Sequence, residues 1–212
     1  MKKYSLLVFD WDGTIVDSES FAIEALQKTA VDFHYPIPAT AEIQGCFGLK
    51  LENLLQQLFP AEKQADLIST FYSHFTEEKL ATRFFTGALE TLSYLKDQGF
   101  ILAIATNKSR PKLNAALTAA KIAYLFTATR SPEDGAPKPA PDMLLTLLAE
   151  LNIHAQNALM IGDTVFDMQF AQNAAVDALA ACYGNHKKEQ LATFNPVGFI
   201  EKIEELKYIL PV

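Results

Sequence analysis

The chain contains four short, almost uninterrupted apolar runs and a fifth, weaker one, separated by longer segments of mixed polarity. None of the runs alternates regularly between apolar and polar positions, which is typical of strands covered on both faces. Several of the intervening segments repeat their apolar positions with the helical period. This alternation predicts an α/β fold with a doubly wound parallel sheet. The predicted strands are residues 5–9, 100–105, 158–161 and 178–182, with 125–128 the weaker one, and the predicted helices are 87–97, 110–120, 141–151 and 166–174.

One segment, from about residue 18 to about residue 82, shows no strand pattern. It carries amphipathic helical patterns instead, and prolines at positions 36, 38 and 60 divide it into separate helices. Asp17 or Ser18 is suited to cap the first of these helices. We therefore predict a helical domain over residues 17–82, inserted after the first strand of a sheet domain made of residues 1–16 and 83–212.

Polar side chains follow the predicted strands at the points where the strands end. Ligands bind at the carboxyl ends of the strands in open α/β sheets, so we expect these side chains to converge on one edge. Two acids one residue apart, such as Asp10 and Asp12, repel each other unless a cation or a proton lies between them. The sequence therefore predicts a Mg²⁺ site beside a carboxylate nucleophile. The converging residues are Asp10 and Asp12 after the first strand, Thr106 and Asn107 after the second, Lys138 after the weaker one, and Asp163 and Asp167 after 158–161.

This set of groups suits phosphoryl transfer, which needs an in-line nucleophile and neutralised charge on the phosphoryl oxygens. Asp10 could attack phosphorus and form an aspartyl-phosphate. Asp12 could protonate the leaving alcohol and then take a proton from the hydrolytic water. Asp10, Asp163 and the backbone carbonyl of Asp12 are candidate Mg²⁺ ligands. The groups that could hold phosphate oxygens are Thr106, the backbone amides near Asn107, and Lys138, which would also offset the carboxylates.

Composition and charge restrict the expected partners. The chain has 212 residues, 50% of them hydrophobic, which is enough for a sizeable core with a smaller insertion. Its net charge is −7 and its pI is about 5.1, without a basic run, so we expect no nucleic-acid or membrane partner. The two cysteines, Cys46 and Cys182, are far apart and are expected to be reduced. We expect a cytoplasmic monomer or weak homodimer that acts on a small phosphorylated metabolite.

The residues at the strand ends also carry a family resemblance. The chain resembles the haloacid-dehalogenase-like hydrolases, and in particular the phosphoglycolate-phosphatase-like branch with a helical cap after the first motif. The resemblance implies a Rossmann-like core and a Mg²⁺-dependent phosphatase, with Asp10 as nucleophile, Asp12 as acid/base, Asp163 as a metal ligand and Asp167 as a supporting acid. The substrate stays open among phosphoglycolate, sugar phosphates and other small phosphomonoesters. The four motifs stand, in order, as Asp10-Trp11-Asp12-Gly13-Thr14, Ala105-Thr106-Asn107-Lys108, Lys138-Pro139-Ala140-Pro141-Asp142 and Gly162-Asp163-Thr164-Val165-Phe166-Asp167.

Other activities compete with a phosphatase. A phosphomutase of the β-phosphoglucomutase type typically carries a cap histidine ten residues beyond the acid/base, where this chain has Ala22. Haloacid dehalogenases lack the acid at the position of Asp12 and need no metal. A receiver-like phosphoacceptor module combines similar groups but needs neither Asp12 nor so long a helical insertion. A silent binding protein is disfavoured because the set of polar groups is complete.

Several residues near the motifs are expected to be structural. Lys108 is interpreted as a surface charge at a helix start, Trp11 as a packing residue, and the four scattered histidines as structural. Ala175 stands where the family commonly has glycine, so it would adopt a left-handed conformation at some cost if a helix C-cap requires one. Segment 45–50, with two glycines and one lysine, is a weak candidate for contacting the non-phosphate end of the substrate, and a plain loop explains it equally well.

Overall fold

Six parallel strands form a single sheet in the order β3-β2-β1-β4-β5-β6. The computed structural model describes residues 4–46 and 49–210. The strand order is that of the Rossmann fold, in which the direction of winding reverses beside β1. The predicted doubly wound sheet is therefore confirmed. The strands are β1 Leu6–Phe9, β2 Ile101–Ala105, β3 Ala128–Arg130, β4 Ala158–Gly162, β5 Asp177–Ala181 and β6 Gly198–Ile200.

The two edge strands of the sheet were not correctly predicted from the pattern of apolar residues. The predicted strand over 125–128 begins only at Ala128, and Leu125 closes a short 3₁₀ turn. Leu125 and Phe126 are nevertheless buried in the core, so the apolar run marks packing beneath the strand and not the strand itself. Strand β6 was not predicted, because three residues at a sheet edge give too short a pattern to recognise.

The helices cover both faces of the sheet. Leu7 and Phe9 of β1 pack into one hydrophobic cluster, whereas Leu6 and Val8 pack into another on the opposite face. This two-sided burial explains why β1 shows no polar alternation. No helix among the described residues is both long enough and apolar enough to cross a membrane. The helices are α1 Ser18–Asp32, α2 Thr40–Gly45, α3 Leu51–Leu58, α4 Gln64–His74, α5 Glu77–Leu80, α6 Ala88–Asp97, α7 Arg110–Ala120, α8 Asp142–Leu151, α9 Val165–Asn173, α10 Lys188–Ala192 and α11 Leu206–Ile209.

Helices α1–α5 lie between β1 and α6, and α1–α4 share a hydrophobic cluster of their own. Their two connections to the sheet run side by side, since Asp17 N donates to Arg83 O at 2.7 Å and Val16 bridges Phe84. The Asp17 side chain caps α1 by accepting from Ser20 N at 3.0 Å, as predicted. Residues 47 and 48 of the candidate segment 45–50 lie outside the described residues.

The C-terminal end of α9 contains a strained alanine. Ala175 has φ 55°, so it adopts the left-handed conformation that the sequence comparison with the family anticipated. The Ala175 side chain is exposed, so replacing it with glycine would remove little buried apolar surface. We expect Ala175→Gly to raise the free energy of unfolding by about 0.5–1 kcal/mol, because relief of the strain exceeds the added entropy of the unfolded chain.

Chemical denaturation of the two proteins measures this difference. Ala115→Gly is the matched control, since Ala115 is exposed in the middle of α7 and has no left-handed strain. That substitution should lower the free energy of unfolding by about 1 kcal/mol. A loss of stability in both variants would contradict the strain assigned to Ala175.

Candidate active site

The loop after β1 places the first two acids at the carboxyl edge of the sheet. Asp10 directly follows β1, and its backbone N donates to Ile161 O of β4 at 2.9 Å. The chain then turns through Gly13, whose φ is +83°. A Cβ at Gly13 would lie 2.2 Å from Asp163 Oδ2, so only glycine lets the loops after β1 and β4 approach this closely. The glycine of the first motif is therefore needed for the contact between the two acidic loops.

Asp163, directly after β4, is fully buried and held by donors from two other segments. Thr14 Oγ1 donates to Asp163 Oδ1 at 2.9 Å. Asn185 donates twice to Oδ2, from its backbone N at 2.8 Å and from Nδ2 at 2.6 Å. Gly184 completes the enclosure, because a Cβ there would lie 2.3 Å from both Asp163 Cβ and Gly13 O. The orientation of Asp163 is thus set by residues far from it in sequence.

Lys138 joins two of the acids. Its Nζ donates to Asp10 Oδ1 at 2.7 Å and to Asp167 Oδ1 at 2.6 Å, and its side chain is 3% exposed. The other oxygen of Asp167 accepts from the backbone N and hydroxyl of Thr164, forming a capping box at the start of α9. Asp167 therefore serves both helix α9 and Lys138.

Thr106 and Asn107 follow β2 and face the same edge. The Thr106 hydroxyl accepts from Lys108 N at 3.1 Å, and its proton can still be donated to a ligand oxygen. The Asn107 amide brackets the backbone of Lys138, accepting from its N at 2.9 Å and donating to its O at 3.4 Å. The Asn107 side chain thereby holds the loop that carries Lys138, a contact that the sequence did not indicate.

Asp12 pairs with a lysine that the sequence analysis misinterpreted. Lys108 Nζ lies 3.1 Å from Asp12 Oδ2, and the Lys108 side chain is only 8% exposed. The interpretation of Lys108 as a surface charge at a helix start is therefore wrong. The helix begins at Arg110, two residues later, so Lys108 lies in the loop at the sheet edge and reaches across to the loop after β1. Trp11, in contrast, is fully buried against Phe84 as expected of a packing residue.

The carboxylates outnumber the cations among the buried groups. Oxygens of Asp10, Asp163 and Asp167 lie within 4.8 Å of one another, and Lys138 contacts two of these residues. Burial raises the pKa of Asp10 to about 8, although Lys138 opposes this rise. Burial also raises the pKa of Asp163 to about 6, and the neighbouring Asp167 adds to it.

The pKa of Lys138 shows the same excess of negative charge among the buried groups. Burial by itself lowers the pKa of this ammonium, but Asp10 and Asp167 outweigh that effect and raise it above its ordinary value. The cluster is therefore short of positive charge. A divalent cation bound by hard carboxylate oxygens would supply it, so the donor set fits an ion such as Mg²⁺.

Two neighbouring cavities meet at this edge. The inner cavity, of about 330 Å³, is lined by six of the seven candidate residues, and the seventh, Asp163, is buried beside Asp10. The outer cavity, of about 620 Å³, lies between α1 of the insertion and the loop after β5. Asp12 and Lys108 line both cavities and mark their junction. The six residues on the inner cavity are Asp10, Asp12, Thr106, Asn107, Lys138 and Asp167.

A further segment at this edge, Tyr183-Gly184-Asn185-His186 after β5, was not among the predicted site residues. Besides the Asn185 bonds, Tyr183 OH donates to Thr14 O at 2.9 Å, and His186 N donates to Asp163 O at 3.2 Å. His186 also lines the outer cavity. The rule that polar residues at strand ends converge would have found this segment, had it been applied to the fourth long apolar run.

Comparisons with known proteins agree with this fold. The family model described as haloacid dehalogenase-like hydrolase matches residues 7–181. The probable phosphatase IndB of Dickeya dadantii is 30% identical, over 95% of this chain and 91% of its own. Pyrophosphatase PpaX of Anoxybacillus flavithermus is 28% identical, over 97% and 96% of the two chains.

A solved structure extends the likeness to the whole fold. The crystal structure described as a predicted phosphoglycolate phosphatase from Haemophilus somnus superposes with a TM-score of 0.76 at 24% identity, with 100% of both chains covered. The family model matches well over half of the chain, and the chain belongs to the haloacid dehalogenase-like hydrolases. Within that family it is a phosphatase enzyme, so the resemblance found in the sequence is confirmed.

Proposed function

We propose that this protein is a Mg²⁺-dependent phosphatase that hydrolyses a small phosphomonoester through an aspartyl-phosphate on Asp10. The observation that carries the proposal is the junction of the two cavities. Asp10, Thr106 and Lys138 line the inner cavity alone, whereas Asp12 also lines the outer one. A phosphoryl group in the inner cavity and its alcohol in the outer one would bring the ester oxygen past Asp12.

In the first step, a carboxylate oxygen of Asp10 attacks phosphorus. The new bond joins Asp10 to phosphorus, the bond from phosphorus to the ester oxygen breaks, and Asp12 gives its proton to that leaving oxygen. Lys138 donates to Oδ1 of Asp10, so it orients the nucleophile and lies where charge on the phosphoryl oxygens must be offset. The Thr106 hydroxyl and the amides near Asn107 bind phosphoryl oxygens.

In the second step, water attacks phosphorus from the side that the alcohol has left. Asp12, now ionised, takes a proton from that water, and the bond between phosphorus and Asp10 breaks. Phosphate and the original carboxylate result. Asp167 acts through Lys138 and not on the substrate, because its second oxygen is occupied by Thr164.

Asp10, Asp163 and the backbone carbonyl of Asp12 are the groups we assign to the Mg²⁺ ion. When bound, the ion neutralises charge on the transferring phosphoryl group. Thr14 and Asn185 hold both oxygens of Asp163 in a fixed orientation, so this ligand is ordered before an ion arrives. Asp167 is the third acid of the buried cluster, and its contacts with Thr164 and Lys138 favour a supporting position.

The helices of residues 17–82 act, in this proposal, as a cap that encloses the leaving group. Ser18, Glu19 and Ala22 of α1 line the outer cavity opposite the loop after β5. Because this cover excludes water, the electrostatic interactions within the site become stronger. Ala22 disfavours a phosphomutase, because a methyl group faces the cavity where that branch carries a histidine.

Phosphate release from a panel of phosphomonoesters, with and without Mg²⁺, tests this proposal. We expect release that a chelator stops and that added Mg²⁺ restores, because the buried acids need a cation to bind a phosphate dianion. Mg²⁺ should also raise the unfolding temperature of the wild-type protein, since it binds the folded state preferentially.

The matched control for the metal is Asp163→Asn, which retains an acceptor for Thr14 but removes the charge. Its unfolding temperature should respond much less to Mg²⁺ than that of the wild type. Full activity in chelator would reopen the dehalogenase alternative. Mg²⁺ binding without release from any ester would favour a phosphoacceptor module or a silent relative.

A further inference from the structure

The core side of the outer cavity presents hydrogen-bond donors. His186 Nδ1 accepts from Val165 N at 3.2 Å, which places the lone pair on Nδ1 and the proton of the neutral ring on Nε2. The backbone N of His186 is also bound, to Asp163 O at 3.2 Å. The ring is thus anchored at the start of α9, and His186 lines the outer cavity. Its Nε2–H is the remaining polar group of the ring that a ligand could use.

Gln190, in the first turn of α10, repeats this arrangement. Its Oε1 accepts from the backbone N of Lys187 at 3.0 Å, at the start of α10. The acceptor atom of the amide is therefore engaged, and the Nε2–H₂ group is the part that can bind a ligand in the outer cavity. Both residues use their acceptors to bind backbone amides and keep their donors for the cavity.

The opposite side of the outer cavity presents acceptors. Glu19 and Ser18 come from the first turn of α1. One carboxylate oxygen of Glu19 accepts from Gln44 Nε2 at 2.8 Å, but a carboxylate has about four acceptor positions and can accept further bonds. A ligand between the two sides would therefore meet donors on one side and acceptors on the other.

With Asp12 ionised, before it takes up the proton used in the first step, the formal charges that line the outer cavity cancel. Two lysines, Lys108 and Lys112, accompany two acids, Asp12 and Glu19, and Lys108 is paired with Asp12 at 3.1 Å. A second anionic group on the substrate would gain no net attraction there. A hydroxyl group suits the cavity better, because it both donates and accepts hydrogen bonds.

We infer that the substrate is a phosphomonoester of a neutral, hydroxyl-rich alcohol, such as a polyol or a sugar, read by His186 and Gln190 as donors and Glu19 as acceptor. This inference rests on the proposed phosphatase function and narrows its substrate class. It makes His186 and Gln190 specificity-determining residues of the sheet domain, on the side of the cavity opposite the helical insertion.

A pair of matched esters tests the inference. Glycerol 3-phosphate and n-propyl phosphate share the same three-carbon primary ester and differ by two hydroxyl groups. We expect kcat/KM to be at least about tenfold higher for glycerol 3-phosphate, because the propyl ester cannot form the hydrogen bonds that a hydroxyl group makes with His186 and Gln190. The kcat/KM for glycerol 3-phosphate should also exceed that for phosphoglycolate, because the carboxylate of phosphoglycolate meets no net positive charge in the outer cavity.

Two substitutions remove a donor while retaining the acceptor that the backbone uses. His186→Asn keeps an acceptor near the position of Nδ1 but lacks Nε2–H, and Gln190→Glu keeps Oε1 but replaces the donor. Each should lower the ratio of kcat/KM values for glycerol 3-phosphate over n-propyl phosphate by about tenfold, chiefly through KM. His34→Asn is the matched control, because His34 is exposed in the helical insertion with φ 58°, a conformation that asparagine tolerates. For His34→Asn, the ratio of kcat/KM values for the two esters should equal that of the wild type.

The outcomes separate the inference from the function on which it rests. Equal kcat/KM values for the two esters in the wild type, or an unchanged ratio in both donor variants, would overturn the hydroxyl assignment while leaving Mg²⁺-dependent hydrolysis intact. A higher kcat/KM for phosphoglycolate or pyrophosphate would instead show that the outer cavity recognises a second anionic group. If His186→Asn fails to unfold cooperatively, Gln190→Glu decides the question. No hydrolysis of any ester would overturn the phosphatase proposal itself.

Discussion

Asp10→Asn is expected to reduce phosphate release by at least about 10⁴-fold while leaving the fold intact. The amide cannot attack phosphorus, so no covalent intermediate forms and neither half of the reaction proceeds. The fold should tolerate the change, because burial already disfavours the ionised form of Asp10 and raises its pKa. Lys138 would retain its contact with Asp167 at 2.6 Å.

Three measurements together check this expectation: steady-state phosphate release, acid quenching to trap the phosphorylated protein, and thermal unfolding. The wild type should show phosphate bound to the chain during turnover, and the variant none. Asp32→Asn is the matched control, since Asp32 pairs with His74 on the surface of the helical insertion at 2.7 Å. It should retain normal turnover. Near-normal activity of Asp10→Asn with a folded protein would remove Asp10 as nucleophile.

Lys138→Met is expected to lower both activity and stability. Loss of the ammonium leaves the phosphoryl charge without its protein counterpart, and we expect kcat/KM to fall by about 10²–10³-fold. In chelator the free energy of unfolding should fall by about 3–5 kcal/mol, because Asp10 and Asp167 are left as buried acids without their cation. Methionine keeps most of the side-chain volume, so a cavity contributes little.

A double variant distinguishes lost charge pairing from lost packing. Lys138→Met combined with Asp167→Asn removes one of the uncompensated acids, so it should be more stable than Lys138→Met alone. Asp167→Asn alone should also be less active than the wild type, because Asp167 orients Lys138 and caps α9. Equal stability of the single and double variants would show that the loss comes from packing. Wild-type turnover of Lys138→Met would contradict the assignment of the third motif.

Much of the sheet was predictable because burial leaves a direct record in the sequence. A strand covered on both faces, such as β1, must be apolar throughout, and helix α7 was predicted with the bounds that the structure shows. The edge strand β3 was predicted three residues too early and β6 was not predicted, because each is only three residues long. The left-handed Ala175 was anticipated only through comparison with the family pattern, since nothing in its own neighbourhood requires it.

The convergence of the candidate residues was also predictable, and for a topological reason. Asp10 and Lys138 are separated by 128 residues, yet each follows a strand of one parallel sheet, so both must lie at the same edge. Residue type then indicated the chemistry, because acids, a hydroxyl and a lysine in that place suit phosphoryl transfer.

Only the tertiary structure decided which of these groups touch. Lys108 reaches Asp12 across 96 residues, Asn107 holds the backbone of Lys138, and Asn185 holds Asp163. Such contacts depend on how loops fold back over the sheet, and loop conformation has no periodicity that a sequence pattern can reveal. The sequence by itself determined the class of fold and predicted the candidate reacting groups, since burial and strand direction are encoded locally. The partners of those groups and the donor-lined outer cavity were decided by packing between distant segments.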